Sequence, residues 1–121
     1  MKALRGIVFV CITILLVASL FACSEPTPPG PIYLADSNNN RIVRIDDMSG
    51  AGRINYSAAE GAPYLEPFHI TVDRRGHIYV ADGSLNQAVR IDTINGDGLL
   101  QFGSTGVGQD EFDHLNGVFC Y

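Results

Sequence analysis

Residues 32–46 read Ile32-Tyr-Leu-Ala-Asp36-Ser-Asn-Asn-Asn40-Arg-Ile-Val-Arg44-Ile-Asp46, and residues 78–92 read Ile78-Tyr-Val-Ala-Asp82-Gly-Ser-Leu-Asn86-Gln-Ala-Val-Arg90-Ile-Asp92. Nine of the fifteen aligned positions are identical, without a gap, at an offset of 78 − 32 = 46 residues. Gly50/Gly96 and Gly52/Gly98 carry the match further. The unit is made of short apolar and β-branched runs separated by Asp, Asn and Gly, the composition of strands joined by tight turns.

Working outward, residues 32–35 and 78–81 are short apolar runs, and 40–46 and 87–92 are β-branched. Apolar runs without strict alternation suit strands covered on both faces. The linking segments 36–40 and 82–86 are rich in Asp and Asn, which bond to nearby backbone and tolerate the left-handed region, so their first reading is structural rather than metal-binding. Segments 46–52 and 92–98 place glycines where a hairpin needs positive φ. Residues 92–98 have a faint likeness to a calcium loop, but the acidic spacing is wrong and no Glu closes it, so they read as a turn. Residues 53–56 and 99–102 follow as outer strands, 67–73 as a strand leading into the second copy, and 115–121 as its counterpart, cut off in mid-strand. A repeat of ~40 to 50 residues built this way predicts propeller blades, small sheets that each lean on a neighbour.

The chain resembles the NHL repeat family on three features: Gly106-Val-Gly108 with Phe112 and Asn116-Gly117-Val118, the Ile-Tyr-Val-Ala-Asp run at 78–82, and Asn-Asn-Arg-Ile-Val-Arg at 39–44. The likeness covers nearly all of residues 32–121. It implies an all-β fold, here a partial β-propeller of about two four-stranded blades. Gln87 stands where the first copy has Arg41 and Ala88 where it has Ile42, so the second turn is expected to be held less firmly. Closed propellers need about four to eight blades. The chain is therefore read as a piece of a longer propeller, as a homo-oligomer closing a ring, or as an open pair of sheets. In the second reading the strand at 115–121 fills the missing slot of the next chain's first blade, three chains giving six.

Before the repeat, Lys2 and Arg5 precede an apolar run at residues 7–22, which is 16 residues long and too short for the ~20 of a spanning helix. It reads as a helical secretory signal. Leu20-Phe21-Ala22-Cys23 resembles the lipobox of bacterial lipoproteins, which implies cleavage after Ala22 and lipidation of Cys23. More than one acyl chain gives stable attachment, so the chain would be anchored without spanning. Ser24 resembles the residue found in members sorted to the outer membrane. Four prolines among residues 24–31 make a stiff tether. The organisation is thus a lipoprotein signal peptide at 1–22, a Pro-rich linker at 23–31 and an NHL repeat region at 32–121, displayed in the bacterial cell envelope on the outer membrane or cell surface.

The whole chain carries a formal net charge of −5, and without Lys2 and Arg5 this becomes −7, which disfavours nucleic acid as a partner. Of Cys11, Cys23 and Cys120, only Cys120 is left for the folded region, so no intrachain disulfide is expected, and Cys120 reads as a small buried residue.

Function is read as a non-enzymatic binding or scaffold module for protein, peptide or glycan ligands. The loops at 36–40, 57–67, 82–86 and 103–115 are the expected contact surface, with Asp110, Glu111, Asp113 and His114 as a possible polar patch. The alternative, a propeller lyase or lactonase, needs three or more converging ligands. His69, His77 and His114 offer few: His69 is placed near a channel and His77 on an exposed turn. No catalytic, metal or cofactor residue is assigned. A third reading is an inactive remnant.

Overall fold

The computed structural model describes residues 29–64 and 66–121. The signal expected at 1–22, the lipidation expected at Cys23 and the expected linker up to residue 28 lie outside the described residues. What is described is all-β apart from short 3-10 turns, and none of its helices is long and apolar enough to cross a membrane.

Both copies of the repeat fold alike. In the first, β1 (Ile32–Asp36) pairs antiparallel with β2 (Arg41–Ile45), and β2 with β3 (Ile54–Ser57). In the second, β4 (Pro67–Val72), β5 (Ile78–Asp82), β6 (Gln87–Ile91) and β7 (Leu100–Phe102) form a four-stranded antiparallel meander. The registers correspond: Ile32 opposes Ile45 as Ile78 opposes Ile91, and Asp36 opposes Arg41 as Asp82 opposes Gln87. The repeat sets this register because β-branched residues recur on both sides of a turn of fixed length.

The turns bear out the structural reading of the repeated Asp and Asn. Asn40 and Asn86 both adopt the left-handed conformation, at φ 52° and 49°. Asp36 accepts from Arg41 Nε at 2.8 Å and Asn39 Nδ2 at 2.8 Å, and these bonds hold its carboxyl below the usual range. Asp82 instead accepts from the backbone N–H groups of Ser84 and Leu85, at 2.9 and 3.0 Å. The second turn is therefore not the looser one. Losing the arginine is offset by this backbone cap, and Gln87 is itself buried, donating to the Pro63 carbonyl at 3.0 Å and accepting from Gln101 at 3.2 Å.

The two sheets pack face to face around one core. Ile42, Tyr56 and Tyr64 come from the first repeat, and Ile78, Val80, Val89, Ile91 and Ile94 from the second. Tyr64 is completely buried, meets the Tyr56 ring edge to face at 5.9 Å and donates its hydroxyl to the Tyr56 carbonyl at 2.8 Å. Burial is the main cause that pushes its phenol far above the ordinary value. Val43 and Ile45, on the other face of β2, are buried too.

Two features depart from expectation. Residues 115–121, expected as a strand, belong to no sheet, because an extended segment becomes a strand only where a neighbour completes the ladder. Loop 103–115 instead holds a short parallel ladder, β8 (Ser104–Thr105) with β9 (Glu111–Phe112), closed by Gly106 N–H donating to the Phe112 carbonyl.

Candidate functional site

The meander brings four connections to one end of the sheets, and these are the four loops anticipated from sequence. Hydrogen bonds tie them together. Ser37 Oγ donates to the Pro67 carbonyl, Gly83 N–H to the Glu66 carbonyl at 3.1 Å, and Asn86 Nδ2 to Thr105 Oγ1 at 3.1 Å. The Asn86 Oδ1 atom accepts from Leu115 N–H at 3.0 Å, so this buried side chain joins the 82–86 turn to both ends of the 103–115 loop. Within the 57–67 loop, Ser57 and Glu60 close a reciprocal cap on the 3-10 turn Ala58–Glu60.

The surface so formed is mixed in character. The ladder slips between Pro67 and His69, and this irregularity leaves both Phe68 and His69 exposed at the rim. Bulges recur beside functional surfaces because they re-aim a side chain. The Phe68 ring lies on the spot where Gly83 would carry a Cβ, and Leu85 is exposed on the same turn. Sequence reasoning missed Phe68 and Leu85: the slipped register exposes Phe68, and Leu85 lies on the turn between β5 and β6.

The acidic patch is only partly assembled. Glu111 is exposed, but its carboxylate accepts from Gly108 N–H at 2.8 Å, so it serves the loop. Asp113 and His114 remain exposed, 3.7 Å apart, with His114 in the left-handed region at φ 60°. Asp110 is exposed as well. No group of three or more metal-binding side chains occurs among the described residues.

At the opposite end the structure corrects the reading of His77. Its side chain is half-buried, with Nδ1 2.7 Å from Asp73 Oδ2 and Nε2 3.6 Å from Asp92 Oδ1. The Asp73 carboxylate also caps its own turn, accepting from the N–H groups of Arg75 and His77, and takes a weaker bond from the Tyr79 hydroxyl at 3.3 Å. Asp92 in turn pairs with Arg90 at 2.6 Å. The signal was available: the pairing of Ile78 with Ile91 puts residues 77 and 92 opposite each other, and Asp73 lies one turn back. The arrangement is a clamp on the β4–β5 turn.

Burial raises the Asp73 pKa, but the bonds from His77 and Arg75 outweigh it and bring it from 3.8 down to about 2. A depressed carboxylate stabilises the fold above its unfolded pKa and loses that contribution as pH falls through its folded one. The expected result is a clamp contribution intact at pH 5 and lost between about pH 4 and pH 2. Asp73→Asn should lower the melting temperature at pH 6 and flatten the acid limb; an unchanged acid limb would remove the clamp's role.

A shallow groove of about 400 Å³ lies on the outer face of the second sheet, lined by Tyr79, Ala88, Arg90, Leu100 and Phe102. Compared with protein-family models and with curated proteins, the chain matches none.

Proposed function

We propose that the chain is a binding module of the bacterial envelope, held on a lipid at Cys23, whose repeat region is a partial NHL-type propeller. In this reading its loop end takes a protein, peptide or glycan ligand. The observation that carries the proposal is the cross-bonding of four loops from two successive repeats into one fixed surface. Loops tied this way present side chains at low ordering cost, the condition for useful affinity. Phe68 and Leu85 supply apolar contact, while His69, Asp113 and His114 supply polar contact beside them. The choice of a binding role over chemistry rests on fold-level analogy together with this mixed rim.

Two measurements test separate halves of the proposal. In a bacterial host fed an alkyne-bearing fatty acid, the wild-type chain should take up the label and sediment with membranes. Cys23→Ser should lose both the label and the membrane association. Ligands retained from peptide and glycan arrays should be lost, by tenfold or more, on combined Phe68→Ala and Leu85→Ala at unchanged melting temperature. Binding untouched by that pair would move the site elsewhere. Membrane association without label would rule out the lipid anchor alone.

A further inference from the structure

We propose that Asn116 is a site of self-modification: its side-chain amide is lost through attack by the Gly117 backbone nitrogen, leaving aspartate or isoaspartate at that position. The chemistry is independent of what the loop end binds, because its only co-reactant is water.

Asparagine followed by glycine occurs twice in the chain, at Asn95-Gly96 and Asn116-Gly117. In such a pair the nitrogen after the asparagine is held within reach of that residue's Cγ, so ring closure needs no encounter between separate molecules. A succinimide forms as the N–Cγ bond is made and ammonia departs, and the proton lost from the backbone nitrogen is balanced by the one ammonia takes up. Water then adds to one of the two ring carbonyls, and the C–N bond that breaks decides between aspartate and isoaspartate. No oxidant or reductant enters. Glycine permits the backbone rotation and sets no side chain beside the attacking nitrogen. Asn38, Asn39, Asn40, Asn55 and Asn86 are each followed by a residue that does carry one.

The two pairs differ in what their glycine nitrogen does. Gly96 N–H closes a turn by donating to the Thr93 carbonyl at 3.0 Å. A peptide nitrogen attacks only once its proton is gone, because its lone pair is otherwise delocalised. At Gly96 that loss would break the bond and leave an anion facing a carbonyl lone pair. Around it, Asn95 N–H donates to Thr93 Oγ1 at 3.3 Å, the Thr93 hydroxyl to Asp97 Oδ2 at 2.6 Å and Asp92 N–H to the Asp97 carbonyl at 2.7 Å. The Tyr56 phenol, part of the shared core, lies where Gly96 would carry a Cβ. The turn cannot rotate without breaking these contacts, and Asn95 is held out of reaction.

Asn116-Gly117 has none of these restraints. Both residues are exposed, and nothing beyond the chain neighbours lies within 4 Å of the point where Gly117 would carry a Cβ. No described group accepts from Gly117 N–H. The pair sits in a short span held at both sides: Leu115 N–H donates to Asn86 Oδ1 at 3.0 Å, and Cys120 Sγ lies 3.7 Å from Thr71 Oγ1. Isoaspartate carries the main chain through its own Cβ and Cγ, so it lengthens that span by a methylene. Either product adds a negative charge to the stretch that holds the exposed Asp113. The modification thus alters the loop that Asn86 ties down, and the altered fraction rises with the age of the protein.

The purified full chain, held at mildly alkaline pH and sampled over days, tests this when digested and mapped by tandem mass spectrometry. Residue 116 should show the mass change of amide to acid, with isoaspartate detected by enzymatic methyl transfer, at least about tenfold faster than residue 95. In guanidinium chloride, with the turn at 92–98 undone, the two sites should react at comparable rates. Gly117→Ala should slow the reaction at residue 116 by about tenfold, because the added methyl crowds the attacking nitrogen and restricts its backbone. Equal rates at both sites in the folded chain would overturn the proposal. So would an intact Asn116 in a folded chain whose unfolded form reacts, or a Gly117→Ala chain that reacts undiminished. The comparison of folded and unfolded wild type needs no variant, so a misfolded Gly117→Ala chain leaves the test decisive.

Discussion

Replacing Tyr64 with alanine should cost the fold about 3–5 kcal/mol, the range for deleting a large aromatic side chain from a core. Tyr64 is fully buried and lies in the segment that crosses from the first sheet to the second. Its ring belongs to the cluster that both sheets share, so its removal opens a cavity at the joint instead of within one sheet. Tyr64→Phe separates the two contributions: it keeps the ring and drops only the hydroxyl bond to Tyr56, for about 1–2 kcal/mol, including the carbonyl left short of a partner. Chemical denaturation at neutral pH measures both. If Tyr64→Ala cost no more than Tyr64→Phe, the ring would not be packing where the structure places it.

The second large effect is a contrast between two glycines that are equivalent in the repeat. Gly96 and Gly50 both sit at positive φ, 91° and 84°, in matching hairpin turns. Alanine at either position pays the strain of the left-handed region, about 1–2 kcal/mol. At Gly96 the new methyl would also meet the Tyr56 ring, whereas at Gly50 it meets nothing. Overpacking adds about 1–3 kcal/mol, so Gly96→Ala should destabilise clearly more than Gly50→Ala. Equal effects in a dilute monomer would mean that Tyr56 does not hold that slot.

Much of this architecture was legible before any coordinates. Every strand from β1 to β7 was anticipated to within a residue or two, because a gapless fifteen-residue repeat fixes strand, turn and register together. The loop cluster followed, since a meander sends alternate connections to the same end. What sequence could not supply was whatever depends on a neighbour. Residues 115–121 carry a strand-like composition, yet a strand needs a partner edge. In the sequence the turn at Gln87 reads as weak because it lacks the arginine of the first copy. The substitute bonds come from Ser84 and Leu85 backbone and from Pro63, a residue 24 positions away. His77 looked exposed because it precedes a strand, and its burial comes from Asp92 across the sheet. Of the candidate surface, the loops were foreseen and their apolar members were not, since the exposure of Phe68 follows from a one-residue slip in the ladder.

The fold depends on the two repeats being adjacent layers that share one interior. Nuclear Overhauser spectra of the isotopically labelled protein test this directly. Cross-peaks are expected from the Ile42 methyls and the Tyr56 and Tyr64 rings to the methyls of Ile78, Val80, Val89 and Ile91, which form a single cluster. Cross-peaks confined to pairs within each sheet would contradict it, leaving two separate hairpin-built units with no common core.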